Sequence, residues 1–279
     1  MAEKKRAVAL GNFDGLHIGH ASVINSAKAY ENMLACVLLL EPLPSAAAGE
    51  ALITDEEKQR LLDAFGVETV RIDFSAIKDW TPERFFDEII VGKLNAGAVC
   101  CGFNYRFGKG GSGDSALLKS LCEGRNIAFC ECAAVEYENE PVSSTRIRTA
   151  LKNGEVEKAN AMLGRNFGYC LEVVHGDKIG RLLDCPTINQ LFPPELIVPK
   201  YGVYSSLTTL GGKQLRSVTN IGRRPSFEKD EERSETHIID YCADLYGQKI
   251  DVQLVSYKRG EKKFDSLDEL KAQLNKDKE

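Results

Sequence analysis

Residues 6–20 read Arg6-Ala-Val-Ala-Leu10, followed without a break by Gly11-Asn-Phe-Asp-Gly-Leu-His-Ile-Gly-His20. The first five residues are a short apolar run typical of a buried strand, and the glycine-rich loop after them leads into a segment with helical spacing of apolar residues. A strand, a loop and a helix in this order indicate a parallel α/β sheet. In such sheets ligands bind beyond the carboxyl ends of the strands, so we expect the loop after Leu10 to contribute to a binding site.

The same alternation continues through the first half of the chain. We predict further strands at 33–40, 67–72, 96–101 and 127–132, and helices near 19–31, 54–65, 81–94 and 113–125. Thr54 with Glu57 is a capping box, and Thr81 precedes Pro82, so both threonines mark helix starts. The predicted fold of this half is therefore α/β, with a doubly wound parallel sheet covered by helices on both faces.

The pattern changes after two short predicted helices at 145–152 and 155–163. From Gly164 onward the predicted strands lie close together, at 169–175, 202–210, 214–219, 236–241 and 249–257. Turns such as Gly211-Gly212 separate them, which indicates an antiparallel β-barrel. A last helix is predicted to begin at Ser266. We therefore expect two domains, at residues 1–163 and 164–279.

Composition narrows the possible partners and the cellular location. The 279 residues include 36 Lys and Arg against 41 Asp and Glu, a formal net charge of −5. Nucleic acid and anionic membranes require a concentrated basic field, so neither is expected as a partner. No apolar run of about 20 residues occurs, and we expect a soluble, cytoplasmic protein. Nine cysteines without a C-x-x-C pair are interpreted as reduced, small hydrophobic residues.

The loop between the first strand and the first helix carries the clearest chemistry. Gly11, Gly15 and Gly19 would let the backbone approach a phosphate, and the helix start offers unpaired N–H groups. His17 and His20 would face the same anion and donate hydrogen bonds to a phosphorane-like transition state. Two alternatives stay open: a turn with two satisfied histidines, and a zinc pair, although no third ligand lies close by.

Two further segments carry polar groups suited to phosphates. Gly102-Phe-Asn-Tyr-Arg-Phe-Gly-Lys-Gly-Gly-Ser-Gly113 follows a predicted strand, and Val142-Ser-Ser-Thr-Arg-Ile-Arg148 precedes a predicted helix. The second segment places hydroxyls and two guanidinium groups at a helix start, which suits a triphosphate or a departing pyrophosphate. A capped surface helix is the alternative.

Together the three segments resemble the FAD synthetase module of the bacterial bifunctional riboflavin kinase/FAD synthetase family. That module belongs to the nucleotidyltransferase superfamily, which cleaves a nucleoside triphosphate between its α and β phosphates. The resemblance implies a sheet of the nucleotidyltransferase type that adenylylates FMN to FAD, with ATP as co-substrate and pyrophosphate as by-product. It implies that His17 and His20 are catalytic. Nucleotide and phosphate binding are implied for Gly11, Phe13, Asp14, Gly15, Asn104, Ser144, Thr145 and Arg148.

The second half extends the resemblance to the riboflavin kinase module of the same family. The matching segments are Gly164-Arg165, Val174-His-Gly-Asp-Lys-Ile-Gly-Arg181, Pro186-Thr-Ile-Asn189, Gly202-Val-Tyr204, Asn220-Ile-Gly-Arg-Arg-Pro225, Glu235-Thr-His237 and Asp244-Leu-Tyr-Gly247. The resemblance implies that ATP phosphorylates riboflavin to FMN. It implies that Thr187 and Asn189 hold Mg²⁺, whose preferred ligands are oxygens, and that Glu235 is the catalytic base.

Two positions depart from the family's usual pattern. Asp184 stands where the stretch Gly-Phe-Pro-Thr-Ala-Asn has its glycine, and Leu43 stands where Phe-x-Pro-His-Pro has its histidine. Alternatives to a bifunctional enzyme are a single-activity FAD synthetase with an impaired kinase domain, a nucleotidyltransferase for another phosphorylated substrate, and a non-catalytic flavin-binding regulator. The presence of His17, His20 and Arg148 favours an enzyme, since binding alone does not require donors for a transition state.

Overall fold

A computed structural model describes residues 4–41, 50–176, 187–225, 230–262 and 267–278. Of the positions discussed above, Leu43, residues 177–181, Asp184, Pro186 and Ser266 lie outside the described residues. Within those ranges, no helix has both the length and the apolar character needed to cross a membrane.

The chain divides into two compact units. The first consists of Met1–Ala46 with Lys58–Ser143, and the second of Ala47–Glu57 with Ser144–Glu279. Residues 144–163 group with the second unit. The expected domain boundary after residue 163 stays a prediction.

The first unit contains the predicted parallel sheet. Its strands are β1 (Arg6–Leu10), β2 (Leu34–Glu41), β3 (Glu68–Asp73), β4 (Ala96–Gly102), β5 (Arg106–Phe107), β6 (Gly113–Asp114), β7 (Ala128–Cys132), β8 (Glu136–Tyr137) and β9 (Glu140–Pro141). Five of them form the sheet in the order β3-β2-β1-β4-β7, and every pair is parallel. The order reverses direction at β1, so the doubly wound sheet is confirmed. Because β1 has a neighbour on each side, Leu10 lies opposite both Leu38 and Cys101 and is buried.

Helices alternate with these strands as expected. They are α1 (Ile18–Lys28), α2 (Asp55–Phe65), α3 (Phe74–Ile77), α4 (Pro82–Phe85) and α5 (Ser115–Glu123). The predicted caps are confirmed: the Thr54 hydroxyl accepts a hydrogen bond from the Glu57 N–H at 3.2 Å, and the Thr81 hydroxyl accepts one from the Arg84 N–H at 3.3 Å.

The helix predicted at 81–94 is only partly an α-helix. After α4 the chain continues as a π-helical segment, Phe86–Lys93, and the Leu94 N–H donates to the carbonyl of Ile89 at 2.9 Å. A π-turn holds an extra residue compared with an α-turn. This wider turn keeps Phe86, Ile89 and Ile90 in the core, each at most 6% exposed.

In its described residues, the second unit is a closed antiparallel barrel accompanied by helices. Its elements are α6 (Ser144–Asn153), α7 (Val156–Leu163), β10 (Phe167–Val174), β11 (Thr187–Leu191), β12 (Gly202–Leu210), β13 (Lys213–Pro225), β14 (Asp230–Ile238), β15 (Lys249–Arg259) and α8 (Leu267–Asp277). The barrel order is β10-β11-β14-β13-β12-β15, which confirms the predicted architecture. Asn160 links α7 to the barrel: its amide donates to the carbonyl of Leu254 at 2.9 Å and accepts from the Phe167 N–H at 2.6 Å.

The barrel interior is polar on one side. Five buried hydroxyls hydrogen-bond to one another across β12, β13 and β14 at 2.8–2.9 Å, namely those of Ser206, Thr208, Ser217, Thr219 and Thr236. A hydroxyl both donates and accepts, so it can satisfy its neighbours without a charged group. We call these five residues the hydroxyl network.

The cysteines in the described part of the chain all carry free thiols. Burial raises the pKa of the Cys36 thiol to about 12 and that of Cys122 to about 11. Thiols with such pKa values stay protonated and unreactive at neutral pH. Cys36 and Cys122 therefore behave as the small hydrophobic residues predicted from the sequence, whereas Cys242 is exposed.

Candidate active site

The loop from β1 to α1 makes a sharp turn at the carboxyl end of the sheet. Phe13, Gly15 and Leu16 all have positive φ angles, of 50°, 77° and 42°. Such angles are uncommon for residues with a side chain and persist where the surroundings fix them. Here Phe13 and Asp14 are buried, at 0% and 1% exposed, and anchor the loop in the unit.

The glycines make room for the side chains of this loop. A Cβ atom on Gly11 would lie 3.3 Å from the Phe13 ring, and one on Gly19 would lie 3.1 Å from the ring of His17. Both distances are tighter than ordinary contacts. Gly11 and Gly19 therefore allow the rings of Phe13 and His17 to pack closely against the backbone of the loop. This role differs from the approach to a phosphate that the sequence predicts.

His17 is the N-cap of α1, and this fixes the direction of its ring. Its Nδ1 atom accepts a hydrogen bond from the backbone N–H of His20 at 3.3 Å. An accepting nitrogen carries no proton, so in the neutral ring the proton is on Nε2. Nε2 of His17 is therefore a hydrogen-bond donor.

The two imidazole rings are stacked. Their centroids are 3.7 Å apart with an interplanar angle of 15°. The centroid of the Phe13 ring lies 5.2 Å from that of His20. Burial, and secondarily the charge that His17 can carry, hold the pKa of His20 well below 6.5. Among the described residues, Nδ1 of His20 is buried without a hydrogen-bond partner. The ring is thus neutral at physiological pH, and two adjacent positive charges are avoided.

The neutral state of His20 predicts a pH dependence of stability. Below about pH 6.5 an unfolded histidine binds a proton that the folded ring does not, so the free energy of unfolding should fall as the pH drops. The expected slope is about 1.4 kcal/mol per pH unit. Trp80, the only tryptophan, lies in the first unit, so urea titrations followed by its fluorescence report on this unit. His20→Gln should remove this contribution; identical pH slopes in both proteins would contradict a neutral His20.

A cavity of about 360 Å³ opens at the same edge of the sheet. Its lining comes from the carboxyl ends of β1 and β2 and from the segments that follow β3 and β4, and includes Leu10, Gly11, Asn12, Leu38, Leu40, Phe74, Phe85, Tyr105, Arg106 and Phe107. The lining is largely apolar and aromatic, with Lys78 and Arg106 as cations. The volume is in the range typical of small-molecule sites, and the loop that carries the histidine pair forms one wall.

Sequence reasoning did not identify the apolar lining of this cavity. Nothing in the sequence assigned Leu40, Phe74 or Tyr105 to a cavity, because apolar residues near strand ends are common. The strand order explains the cavity, and the sequence alone does not give that order: the ends of β1, β2, β3 and β4 meet at one edge, so apolar residues just beyond them come together.

The other predicted nucleotide-binding residues lie in two places. Asn104 is exposed in the turn after β4, where the Tyr105 N–H donates to the carbonyl of Gly102 at 3.1 Å. Ser144, Thr145 and Arg148 lie in the first turns of α6, in the second unit. Arg148 is oriented by a hydrogen bond from its Nε to the carbonyl of Glu50 at 2.7 Å. Their contact with a nucleotide stays a prediction.

The residues predicted for the barrel lie side by side on two strands. Asn189 on β11 is directly opposite Glu235 on β14, and Thr187 is opposite His237. Opposite residues of an antiparallel pair project to the same side of the sheet, so the hydroxyl, the amide and the carboxylate share one face. On the other side of β14, Asn220 of β13 is opposite Glu235. Thr187 and Asn189 are two residues apart on β11, a strand that was not among those predicted from the sequence.

This donor set fits Mg²⁺ that is also held by nucleotide phosphates. Thr187 and Asn189 offer neutral oxygens, and the amide of Asn189 is 7% exposed and packed against Gly176, where a Cβ would lie 2.5 Å from Nδ2. In the described part of the chain, no cluster of three His, Cys, Asp or Glu side chains could hold a metal alone. Phosphate oxygens would therefore have to complete the coordination.

A parallel α/β unit with a stacked histidine pair on a loop that lines an apolar cavity, and a barrel with neutral oxygen groups on the same face as a carboxylate, have the features of a nucleotide-dependent transferase of two modules. Two family models match the chain: FAD synthetase over residues 1–146 and riboflavin kinase over residues 163–279. The chain belongs to the family of bifunctional riboflavin kinase/FMN adenylyltransferases, and it is a transferase that uses ATP.

Relatives from several bacteria match nearly the whole chain. The bifunctional riboflavin kinase/FMN adenylyltransferase of Bacillus subtilis is 34% identical over 99% of this chain and 92% of its own. The protein of the same name from Escherichia coli K12 is 35% identical, over 96% of this chain and 89% of its own. The crystal structure of a Streptococcus pneumoniae protein titled a macrolide-efflux protein matches with a TM-score of 0.90 and 29% identity, over 99% of this chain and 93% of that chain. The similarity to that structure supports the fold described above, and both family models describe flavin enzymes.

Proposed function

We propose that this protein makes FMN and FAD in two ATP-dependent steps, with the residues named above in defined roles. The barrel transfers the γ-phosphoryl group of ATP to the 5′-hydroxyl of riboflavin, and the first unit transfers AMP from a second ATP to FMN, releasing pyrophosphate. The observation that carries the proposal is the stacked pair His17 and His20, with His20 neutral, on the loop that forms one wall of the 360 Å³ cavity.

In the adenylyl transfer, the histidines act as donors rather than as bases. The nucleophile is the phosphate of FMN, which is already ionised at neutral pH and needs no base. Charge develops on the phosphate oxygens of ATP in the transition state, and fixed donors aimed at it lower the barrier. Nε2 of His17 carries its proton in the neutral ring, because Nδ1 accepts from the His20 N–H. A neutral imidazole of His20 adds a second donor without the repulsion that two stacked cations would have.

The apolar cavity is the proposed site of the flavin ring of FMN. An isoalloxazine ring is flat and largely apolar, and aromatic side chains such as Phe74 and Tyr105 suit its faces. Lys78 and Arg106 would attract the negative charge of the FMN phosphate. One wall contains Gly11, so the phosphate would reach the loop that carries the histidines.

We expect Phe74→Ala to raise the KM for FMN in FAD synthesis by about 10- to 100-fold, because burying a phenylalanine side chain against a ligand contributes about 1.5–3 kcal/mol. The KM for ATP should change little. The measurement is steady-state FAD formation at varied FMN. Phe103→Ala is the matched control, since Phe103 is 43% exposed near the same edge and does not line the cavity. Equal effects of the two substitutions would argue against this flavin site.

In the kinase step an alcohol is the nucleophile, so a proton acceptor is needed. Glu235 is proposed to accept the proton of the ribityl 5′-hydroxyl. Thr187 and Asn189 would hold Mg²⁺ together with ATP phosphates, and the ion, when bound, would neutralise charge on the transferring phosphoryl group. The carboxylate lies directly across the strand pair from Asn189, which would bring base and phosphates together.

From the resemblance alone, we propose that Ser144, Thr145 and Arg148 bind the triphosphate or the departing pyrophosphate, and that Gly11, Phe13, Asp14, Gly15 and Asn104 contribute to the nucleotide site. Phe13 and Asp14 are buried, so their proposed contribution is to hold the loop. ATP as a co-substrate and the free thiols support action in the cytoplasm.

The test of this function follows radiolabelled riboflavin incubated with Mg²⁺ and ATP. FMN should appear first and FAD after it, and supplied FMN should be converted directly. FAD formed from FMN without FMN formed from riboflavin would indicate the single-activity alternative. Failure of both conversions, with flavin still bound, would indicate a regulator.

A further inference from the structure

The amide group of Asn189 lies directly against the backbone of Gly176. A Cβ atom at position 176 would be 2.5 Å from Nδ2, 2.7 Å from Cγ and 2.8 Å from Oδ1 of Asn189. Real Cβ atoms essentially never come within 3.0 Å of another heavy atom in this way. The whole amide, and not only its tip, thus occupies space that any other residue at 176 would fill.

Asn189 cannot avoid such a side chain by shifting its strand. Next to it, the amide nitrogen of Gln190 donates to the carbonyls of Leu171 and Ile250, at 2.6 and 2.8 Å, inside the barrel. Asn189 itself is in register with Val174 on β10 and with Glu235 on β14. These bonds fix the backbone of β11, so a larger residue at 176 would turn the amide instead.

Gly176 is needed for space rather than for an unusual backbone angle. It is not among the glycines with positive φ, so alanine could adopt its backbone conformation. Substitution by alanine therefore introduces one change, a methyl group placed where the amide of Asn189 now lies.

We infer that Gly176 is a positioning residue of the kinase reaction: because it has no side chain, the amide oxygen of Asn189 keeps the orientation needed for Mg²⁺. This inference rests on the proposed role of Asn189 as a metal ligand. It assigns to Gly176 no contact with riboflavin.

The test compares Gly176→Ala with the wild-type chain. We expect the Mg²⁺ concentration for half-maximal FMN formation to rise at least tenfold, with a smaller effect on kcat at saturating Mg²⁺. Binding of Mn²⁺ in the presence of ADP, followed by electron paramagnetic resonance, should weaken by a similar factor and is independent of turnover. FAD formation from supplied FMN should stay unchanged, as an internal control for the amount of enzyme and the fold of the first unit. Gly260→Ala is the matched control, because a Cβ there makes only an ordinary contact of 3.6 Å with Tyr257.

Asn189→Ala and the double variant separate this inference from the function on which it rests. If Asn189→Ala leaves Mn²⁺ binding unchanged, the proposed metal role of Asn189 is wrong. If Asn189→Ala weakens binding but Gly176→Ala does not, the positioning role is wrong. If Gly176 acts through the amide, then Gly176→Ala should have no further effect in the Asn189→Ala background, where the clashing group is gone. An additional loss of Mn²⁺ binding in the double variant would overturn the inference. Because the double variant lacks the clashing amide, it still provides this test if Gly176→Ala alone folds poorly.

Discussion

Replacing His20 by alanine is expected to lower FAD formation from FMN by about 10²–10³-fold, while FMN formation from riboflavin continues at the wild-type rate. The imidazole is proposed to donate to charge that develops only in the transition state, so kcat should fall more than the KM values change. The two reactions can be measured separately on one preparation by supplying FMN or riboflavin.

His17 needs a different substitution, because it is also the N-cap of α1. Alanine would remove the imidazole donor, and it would also remove the acceptor for the His20 N–H. The loss of this N-cap would lower the free energy of unfolding by about 1 kcal/mol. Asparagine is a good N-cap residue, so His17→Asn keeps the cap and removes the imidazole. We expect His17→Asn to lose FAD synthesis as His20→Ala does while keeping its urea midpoint by Trp80 fluorescence. FAD synthesis near the wild-type rate in either variant would show that the nucleotidyl-transfer site lies elsewhere.

Substitution of Glu235 by glutamine is expected to slow the phosphorylation of riboflavin by about 10²–10⁴-fold, the usual contribution of a general base. Glutamine keeps the size and hydrogen-bonding capacity of the side chain but cannot accept the proton. FAD formation from supplied FMN should be unaffected.

Glu172→Gln is the control for the Glu235 prediction. Glu172 is an exposed carboxylate on β10 of the same barrel and has no proposed role. A kinase rate above one tenth of the wild-type rate in Glu235→Gln, or an equal loss in Glu172→Gln, would exclude Glu235 as the base.

The parallel unit could be predicted closely from the sequence, and the barrel less so. Strands such as β1 and β4 are buried on both faces and appear as continuous apolar runs. In contrast, β13 and β14 extend well before or beyond the predicted 214–219 and 236–241. Part of the reason is the composition of the missed stretches: residues 220–225 include a glycine, a proline and two arginines, and residues 230–235 are mostly charged, so neither stretch shows the alternation of apolar and polar residues on which the prediction depends.

The candidate site could likewise be predicted only in part from the sequence. The histidine pair could be found because both residues lie within one short motif. The cavity and the contact of Gly176 with Asn189 could not, since each joins residues from separate elements and depends on strand order and register. Stacking of His17 on His20 also depends on the N-cap, which spacing alone does not determine.

The hydroxyl network of the barrel has a consequence for how this sequence can diverge. Replacing Thr219 alone by valine would leave the hydroxyls of Ser206 and Thr236 each without one of their partners, in a place that water does not reach freely. Replacing the group together by apolar residues of matching shape carries no such penalty. We therefore expect the five positions to vary in concert among homologous barrels, so that covariation in an alignment would trace the inside of the barrel without reference to any catalytic residue.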